Sequence, residues 1–232
     1  MSIYILILLL SVYLLFIIIV SVNIRINYHL KAYNRIKNYD LNHISITFDD
    51  GPNLDYTPKV LNLLKKYNAK ATFFCIGKNI KSNPSLIKKI IDDGHTIGNH
   101  TYTHSNLIGF FNKKRILEEI DETNKKIFKI TNKNMRLFRP PYGITNPMIA
   151  KAIKETGHKA IGWNIRTYDT IIKNPNIIFH IISRKIRPGS IILLHDKSNT
   201  TIQLLEMILI FLKKNNYKSI TIDKLFNLNA YA

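Results

Sequence analysis

Residues 44–76 read ISITFDDGPNLDYTPKVLNLLKKYNAKATFFCI. Ile44–Phe48 is a short β-like run. Asp49 and Asp50 follow it, and Gly51-Pro52 turns the chain. Pro58–Tyr67 has a helical pattern, with proline where a first helical turn tolerates it. Ala71–Ile76 is a second apolar run, in which Cys75 reads as a buried strand thiol. Strand, helix and strand in this order form the unit that builds parallel sheets, with the helix as crossover.

The alternation continues toward the C-terminus. Further strand candidates are Thr96–Ile97, Arg136–Arg139, Lys159–Trp163, Ser190–Leu194 and Lys218–Ile222. Further helix candidates are Pro84–Asp93, Lys113–Ile130, Pro147–Thr156, Pro175–Ile186 and Ile202–Lys214. With the first unit this makes seven strands. The predicted fold class is α/β: a distorted, incomplete (β/α)7 barrel, preceded by one N-terminal transmembrane helix.

That helix is Ile3–Val22, apolar except for Ser11 and Ser21. At about 1.5 Å per residue it is long enough for a bilayer core of about 30 Å. A cleaved signal peptide is the rival reading, and it calls for a basic start and a small-residue cleavage site. Neither feature is present, so a retained single-pass anchor is preferred. The chain then divides into an anchor at 1–22, a polar and basic connector at 23–42, and one domain at 43–232. Arg25, Lys31, Arg35 and Lys37 flank the anchor on its C-terminal side. By the positive-inside rule they place the domain in the cytoplasm.

Hydrophobic residues make up 46% of the 232 positions and charged residues 21%, which excludes a disordered chain. The net charge is +19, from 34 Lys and Arg against 15 Asp and Glu. Such an excess attracts anionic partners. The lysines, however, are spread along helix-like segments in a chain rich in Ile, Asn and Lys, as solvated faces would be. No nucleic-acid recognition motif accompanies them, so no nucleic-acid partner is expected. One cysteine excludes an intramolecular disulfide and a cysteine-based zinc cluster. The oligomeric state is left open.

The chemistry-bearing residues fall at the C-terminal ends of the predicted strands, where β/α barrels carry their active sites. They are Asp49 and Asp50, His100 and His104, Arg139, Trp163 with Asp169 beyond it, and His195 with Asp196. His100 and His104 are four apart, a spacing that puts two imidazoles on one side of a helical turn. A carboxylate from another strand would complete a set of two histidines and one acid with open positions. Of the adjacent acids, one can bind the metal while the other accepts a proton from water.

These stretches resemble the polysaccharide deacetylase family, also called carbohydrate esterase family 4 or the NodB-homology domain. Thr47–Pro52 (TFDDGP) is similar to its first motif, His100–His104 (HTYTH) to its second and Arg139–Gly143 (RPPYG) to its third. Ile191–His195 (IILLH) is similar to the last, and the likeness runs from Ser45 to Leu225. The resemblance implies one divalent metal, most commonly zinc, on Asp50, His100 and His104. It implies Asp49 as general base, Arg139 as the partner that orients it, His195 as general acid and Asp169 as the carboxylate behind His195. It also implies an oxyanion contact from the Tyr142 N–H, and an acetyl pocket lined by Leu193 and Trp163. Cobalt, nickel or iron suit the same donors. Between the third and last motifs the match is weaker. Arg166 and Thr170 stand where family members often have an acid and a tryptophan, which bears on the sugar-binding wall.

The function implied is hydrolysis of N-acetyl groups on an amino-sugar polymer, with peptidoglycan N-acetylglucosamine first. An anchored enzyme with a wall substrate puts the domain outside, against the positive flank. Alternatives that keep the machinery are a lipid-linked amino sugar, a chitin oligomer or an acetyl ester. An inert carbohydrate-binding barrel is the alternative of another class. It has no use for Asp49, Arg139, Asp169 and His195 together.

Overall fold

The computed structural model describes residues 3–232. Met1 and Ser2, counted above with the anchor, lie outside the described residues. Helix α1 (Ile3–Ser21) is long and apolar enough to cross a membrane. A 3-10 turn, Ile24–Ile26, and strand β1 (Ala32–Tyr33) precede β2 (His43–Asp49). Then come α2 (Thr57–Lys66), β3 (Ala71–Cys75), α3 (Gly77–Ser82), α4 (Pro84–Asp92), β4 (Thr96–Asn99) and α5 (Lys113–Thr131). They are followed by β5 (Leu137–Phe138), α6 (Pro147–Thr156), β6 (Lys159–Ile161), β7 (Ile165–Arg166) and α7 (Pro175–Ser183). The chain finishes with β8 (Ile191–His195), α8 (Asn199–Lys214), β9 (Lys218–Ser219) and α9 (Ile222–Phe226).

The strands form one sheet in the order β1-β6-β5-β4-β3-β2-β8-β7, with β9 on β2, and its ladder pairings are parallel. The sheet curls without closing into a full barrel, as the sequence predicts. Two short strands go beyond the seven expected: β1, from the connector, and β7, inside the weakly matching motif.

Period-two alternation sorts β2 onto two faces. Ile44, Ile46 and Phe48 join an outer cluster with Val60, Leu61 and Leu64 of α2, Phe73 of β3 and Leu204 and Ile208 of α8. Burying these apolar side chains contributes about 1.5–3 kcal/mol each. Thr47 and Asp49 take the inner face. The neighbouring strands follow the same rule: Phe74, Ile191 and Leu193 belong to a separate inner cluster with Leu137, Ile161 and Trp163. Asp49 lies directly across from His195, and Thr47 from Leu193. Register alone therefore brings two of the predicted site residues together.

Residues 23–42, the connector, make ordered contacts with the sheet. β1 pairs with β6, Arg35 bridges to Ser190, and the Ile36 N–H donates to the Gly189 carbonyl at 3.1 Å. The segment thus crosses the barrel's opening from β6 to the start of β8. Ile24 (1% exposed) and Ala32 are buried with the inner cluster.

β4 packs closely enough on β3 that a Cβ on Gly98 would lie 2.5 Å from the Phe74 ring. Gly98→Ala is expected to lower stability by about 1–3 kcal/mol through overpacking. It should appear as a lower denaturant midpoint with an unchanged slope.

Candidate metal centre and catalytic cleft

Asp49 is the last residue of β2, and Asp50 begins the turn with a left-handed backbone, φ 72°. The Asp50 carbonyl accepts from Asn79 Nδ2 at 2.7 Å, which fixes this conformation. Asp50 Oδ1 lies 3.6 Å from His100 Nε2 and 3.3 Å from His104 Nε2. One ligand atom from each of the three residues falls within 4.8 Å of the others. That spacing suits a single small cation, and a carboxylate with two imidazoles is a donor set for zinc and its neighbours.

The two histidines do not sit on a helical turn as their spacing suggests. Residues 100–104 form a loop after β4 in which Thr101 (φ 65°) and His104 (φ 51°) are left-handed. The buried carboxylate of Glu119 holds this loop, accepting from the Tyr102 and Thr103 N–H groups at 3.0 and 2.7 Å. His100 Nδ1 lies 2.7 Å from the Arg139 carbonyl, so its Nε2 faces the acids. Burial, and then the charge of His100, lower the His104 imidazole to about 4. It is therefore neutral and free to ligate at neutral pH.

Arg139 is fully buried. Its Nη1 donates to Asp49 Oδ1 at 2.7 Å and to Thr47 Oγ1 at 2.8 Å. Nε and Nη2 donate to the Ile161 and Gly162 carbonyls at 3.1 and 2.8 Å. Its guanidinium carbon stands 4.1 Å above the Phe74 ring centre and 5.5 Å from that of Trp163. The other oxygen of Asp49 lies 3.7 Å from His100 Nε2. Asp49 thus faces the cation position with one oxygen while the other is held.

Across the cleft, His195 Nδ1 meets Asp169 Oδ1 at 2.9 Å, and the His195 N–H donates to Asp169 Oδ2 at 2.9 Å. Thr201 and Thr167 donate their hydroxyls to Asp169 at 2.8 and 2.9 Å. Burial works to lower the His195 pKa, yet the hydrogen bond and charge of Asp169 outweigh it and leave the imidazole above its ordinary value. Burial works to raise Asp169, and His195 with Thr201 reverses that.

Asp49, Asp50, His100, His104, Tyr142, Trp163, Leu193 and His195 line one cleft of about 200 Å³, together with Arg166, Thr170 and Lys197. Arg139 and Asp169 stand behind its wall. All the site residues predicted from sequence are therefore gathered at this face. Tyr142 also has a left-handed backbone, φ 60°, and its hydroxyl donates to Asn106 Oδ1. Asp196 turns away to the Thr57 hydroxyl, and His95 accepts from the Ala71 N–H at 3.2 Å as a structural residue.

Sequence reasoning missed Lys197, whose Nζ reaches Asp50 Oδ2 at 2.7 Å. Burial works to raise the Asp50 carboxyl, but His100 and Lys197 hold it below the usual carboxylate range. The available signal was position: Lys197 comes two residues after His195, at the same strand end. Thr201 gave no signal, because it meets Asp169 from the first turn of α8.

Three comparisons bear on this geometry. The family model described as polysaccharide deacetylase matches residues 37–161. A Bacillus cereus relative named peptidoglycan-N-acetylglucosamine deacetylase is 39% identical over 188 residues, covering 78% of this chain and 87% of that protein. A Listeria monocytogenes relative with the same named activity is 36% identical over 183 residues, covering 79% of this chain and 38% of that longer protein. Among solved structures, a peptidoglycan N-acetylglucosamine deacetylase in complex with 4-naphthalen-1-yl-N-oxidanyl-benzamide gives a TM-score of 0.81 at 30% identity. That match covers 87% of this chain and 94% of the solved one.

Asp169→Asn removes the charge that favours the His195 imidazolium and leaves burial, which opposes it. The His195 pKa is expected to fall from its raised value, read from its imidazole resonances in an NMR titration. An unchanged titration would mean that Asp169 does not govern His195.

Proposed function

The chain belongs to the polysaccharide deacetylase family, and from that we propose that it hydrolyses N-acetyl groups on amino-sugar polymers, with peptidoglycan N-acetylglucosamine as its first substrate. The observation that carries this reading is one cleft with a three-residue cation site, an Arg-held carboxylate on one side and a carboxylate-backed histidine on the other.

Asp50, His100 and His104 would hold one divalent cation, and the donor set supports zinc first. Cobalt, nickel and iron suit the same donors. Such a cation supplies Lewis acidity, lowering the pKa of a water and polarising an amide carbonyl.

The remaining work falls to the chain. Asp49 takes the proton of the attacking water, and Arg139 keeps its other oxygen engaged so that the base presents one lone-pair direction. The Tyr142 N–H donates to the oxygen that gains negative charge. His195, whose imidazolium Asp169 favours, delivers its proton to the departing nitrogen, so that an amine leaves and acetate remains. Leu193 and Trp163 offer an apolar wall to the acetyl methyl group. Residues 1–22 act as a retained single-pass anchor with the domain on the wall side, and 43–232 carry the catalytic machinery. The burial of Val20 and Ile24 in the folded domain supports retention over cleavage.

Acetate release from N-acetylglucosamine oligomers and from peptidoglycan, by the full chain in detergent, tests the reading. Release should stop on chelation and return with zinc. Asp49→Asn should keep the metal and lose about 10²–10⁴-fold in rate; His100→Ala should lose both. Full turnover by either variant would overturn the assigned roles.

The pH profile follows from His195. Its pKa lies above the ordinary imidazole value because of Asp169, so the proton is held to higher pH than on a free imidazole, and activity should fall as pH rises through that raised pKa. In Asp169→Asn the alkaline limb should move to lower pH. A limb that stays in place would assign the proton donor elsewhere.

A further inference from the structure

α1 leaves the domain instead of lying along it. Its side chains from Ile3 to Phe16 are exposed, and Val20 is the buried one, at 3%. Its 19 residues rise about 28 Å, close to the roughly 30 Å of a bilayer core. Read as a membrane span, the helix therefore reaches the edge of the hydrocarbon layer at Ser21–Val22.

That edge is bonded to Thr145, in the segment that follows Tyr142 of the cleft. The Ser21 carbonyl accepts from the Thr145 N–H at 2.7 Å, and the Val20 carbonyl from the Thr145 hydroxyl at 3.4 Å. Ser21 Oγ lies 3.0 Å from His29 Nε2, and Phe16 meets Tyr28 edge-on at 5.4 Å. Ile24 is buried in the same cluster as Trp163, where a Cβ on Gly143 would touch it at 3.4 Å. Tyr142 lines the cleft three residues before Thr145. Even a fully extended chain covers only about 10 Å in three residues. A headgroup layer is about 5–8 Å thick.

The surroundings continue the membrane-facing surface. Leu107 (61% exposed) and Phe110 (89% exposed) flank Gly109, whose carbonyl accepts from Asn146 Nδ2 at 2.8 Å, next to Thr145. Lys31, Lys151 and Lys154 border a cavity of about 350 Å³ that also includes His29, the partner of Ser21. Apolar side chains beside cations suit a bilayer interface with phosphate headgroups. Inside the cleft, Arg166 adds a cation to the wall, beside Lys197, which is paired with Asp50.

We propose that anchor and cleft form one unit working at the bilayer surface, on N-acetylated sugars still joined to a membrane lipid through phosphate. The chemistry rests on the deacetylase reading above. The seat rests on the contacts of residues 16–36 and on α1 spanning the membrane. The phosphate of such a substrate meets the cations around the cleft, and its N-acetyl group lies at the height of Tyr142. Sharing one membrane also raises the effective concentration of substrate, as tethering does.

Two measurements on the full chain in phospholipid vesicles test this separately. In the first, Phe110→Cys carries a fluorophore; the native Cys75 is buried. Lys214→Cys, at the far end of α8, is the control. Quenching of the label at 110 by a lipid-borne quencher, with the label at 214 quenched only from water, supports the seat. Equal aqueous quenching at both positions overturns it. In the second, acetate release is compared for a lipid-phosphate-linked N-acetylglucosaminyl saccharide in the same vesicles and for the same saccharide without lipid. A preference of roughly 100-fold for the linked form is expected, and equal rates overturn the substrate class. No acetate from either form, or from peptidoglycan, refutes the deacetylase reading itself, while the labels still decide the seat.

Discussion

A fully buried guanidinium at the centre of a barrel is tolerated only when its charge and its donors are met. Arg139 satisfies both demands through Asp49, Thr47 and two carbonyls at the end of β6. Removing one partner of such a pair typically costs about 3–5 kcal/mol, because the other charge is left buried and alone. The same residue gives its own carbonyl to His100. One side chain and one carbonyl therefore fix the orientation of Asp49 and the aim of His100, with Trp163 against the same guanidinium. The inner face of the sheet can be polar at this point because Arg139 organises its charges.

The cation site shows a different kind of constraint. Asp50, Thr101, His104 and Tyr142 all have positive φ without being glycine. Each such residue costs of order 1 kcal/mol or more and persists only where its surroundings over-determine it. Here those surroundings are visible: Asn79 on the Asp50 carbonyl, and Glu119 across the 100–104 loop. Asp50 divides its oxygens between two imidazoles and one ammonium. The strain and the supporting contacts converge on the residues that face the cleft.

Much of this was legible from the chain alone. Apolar runs with acids or histidines at their ends located the strands and the face of the site, because a parallel sheet imposes both. Partners for His195 and Asp49 were also legible, through Asp169 and Arg139 in the family's motifs. Three things were not. Left-handed backbone at a threonine and a histidine contradicts local preference, so the four-residue spacing of His100 and His104 pointed to a helix. β1 lies in the polar, basic stretch and β7 inside the weakly matching motif, and neither offers an apolar run like those that located the other strands. Lys197 reaches Asp50 only because β8 lies beside β2, a neighbourhood set by topology and not by spacing.

The contacts of the connector were not legible for a related reason. A polar, basic stretch without periodicity looks like a linker, yet an open parallel barrel leaves a strand edge and a gap that must be covered. Ala32 and Tyr33 pair with β6, Arg35 and Ile36 reach the start of β8, and Ile24 fills the inner cluster. A flexible linker would let the domain sample many heights above an anchor. This one uses its backbone to bridge β6 and the start of β8, so where the apolar helix departs is settled by the same contacts that cover the gap in the sheet. Cover for the barrel and the position of the apolar helix are one structural solution, and altering either must alter the other.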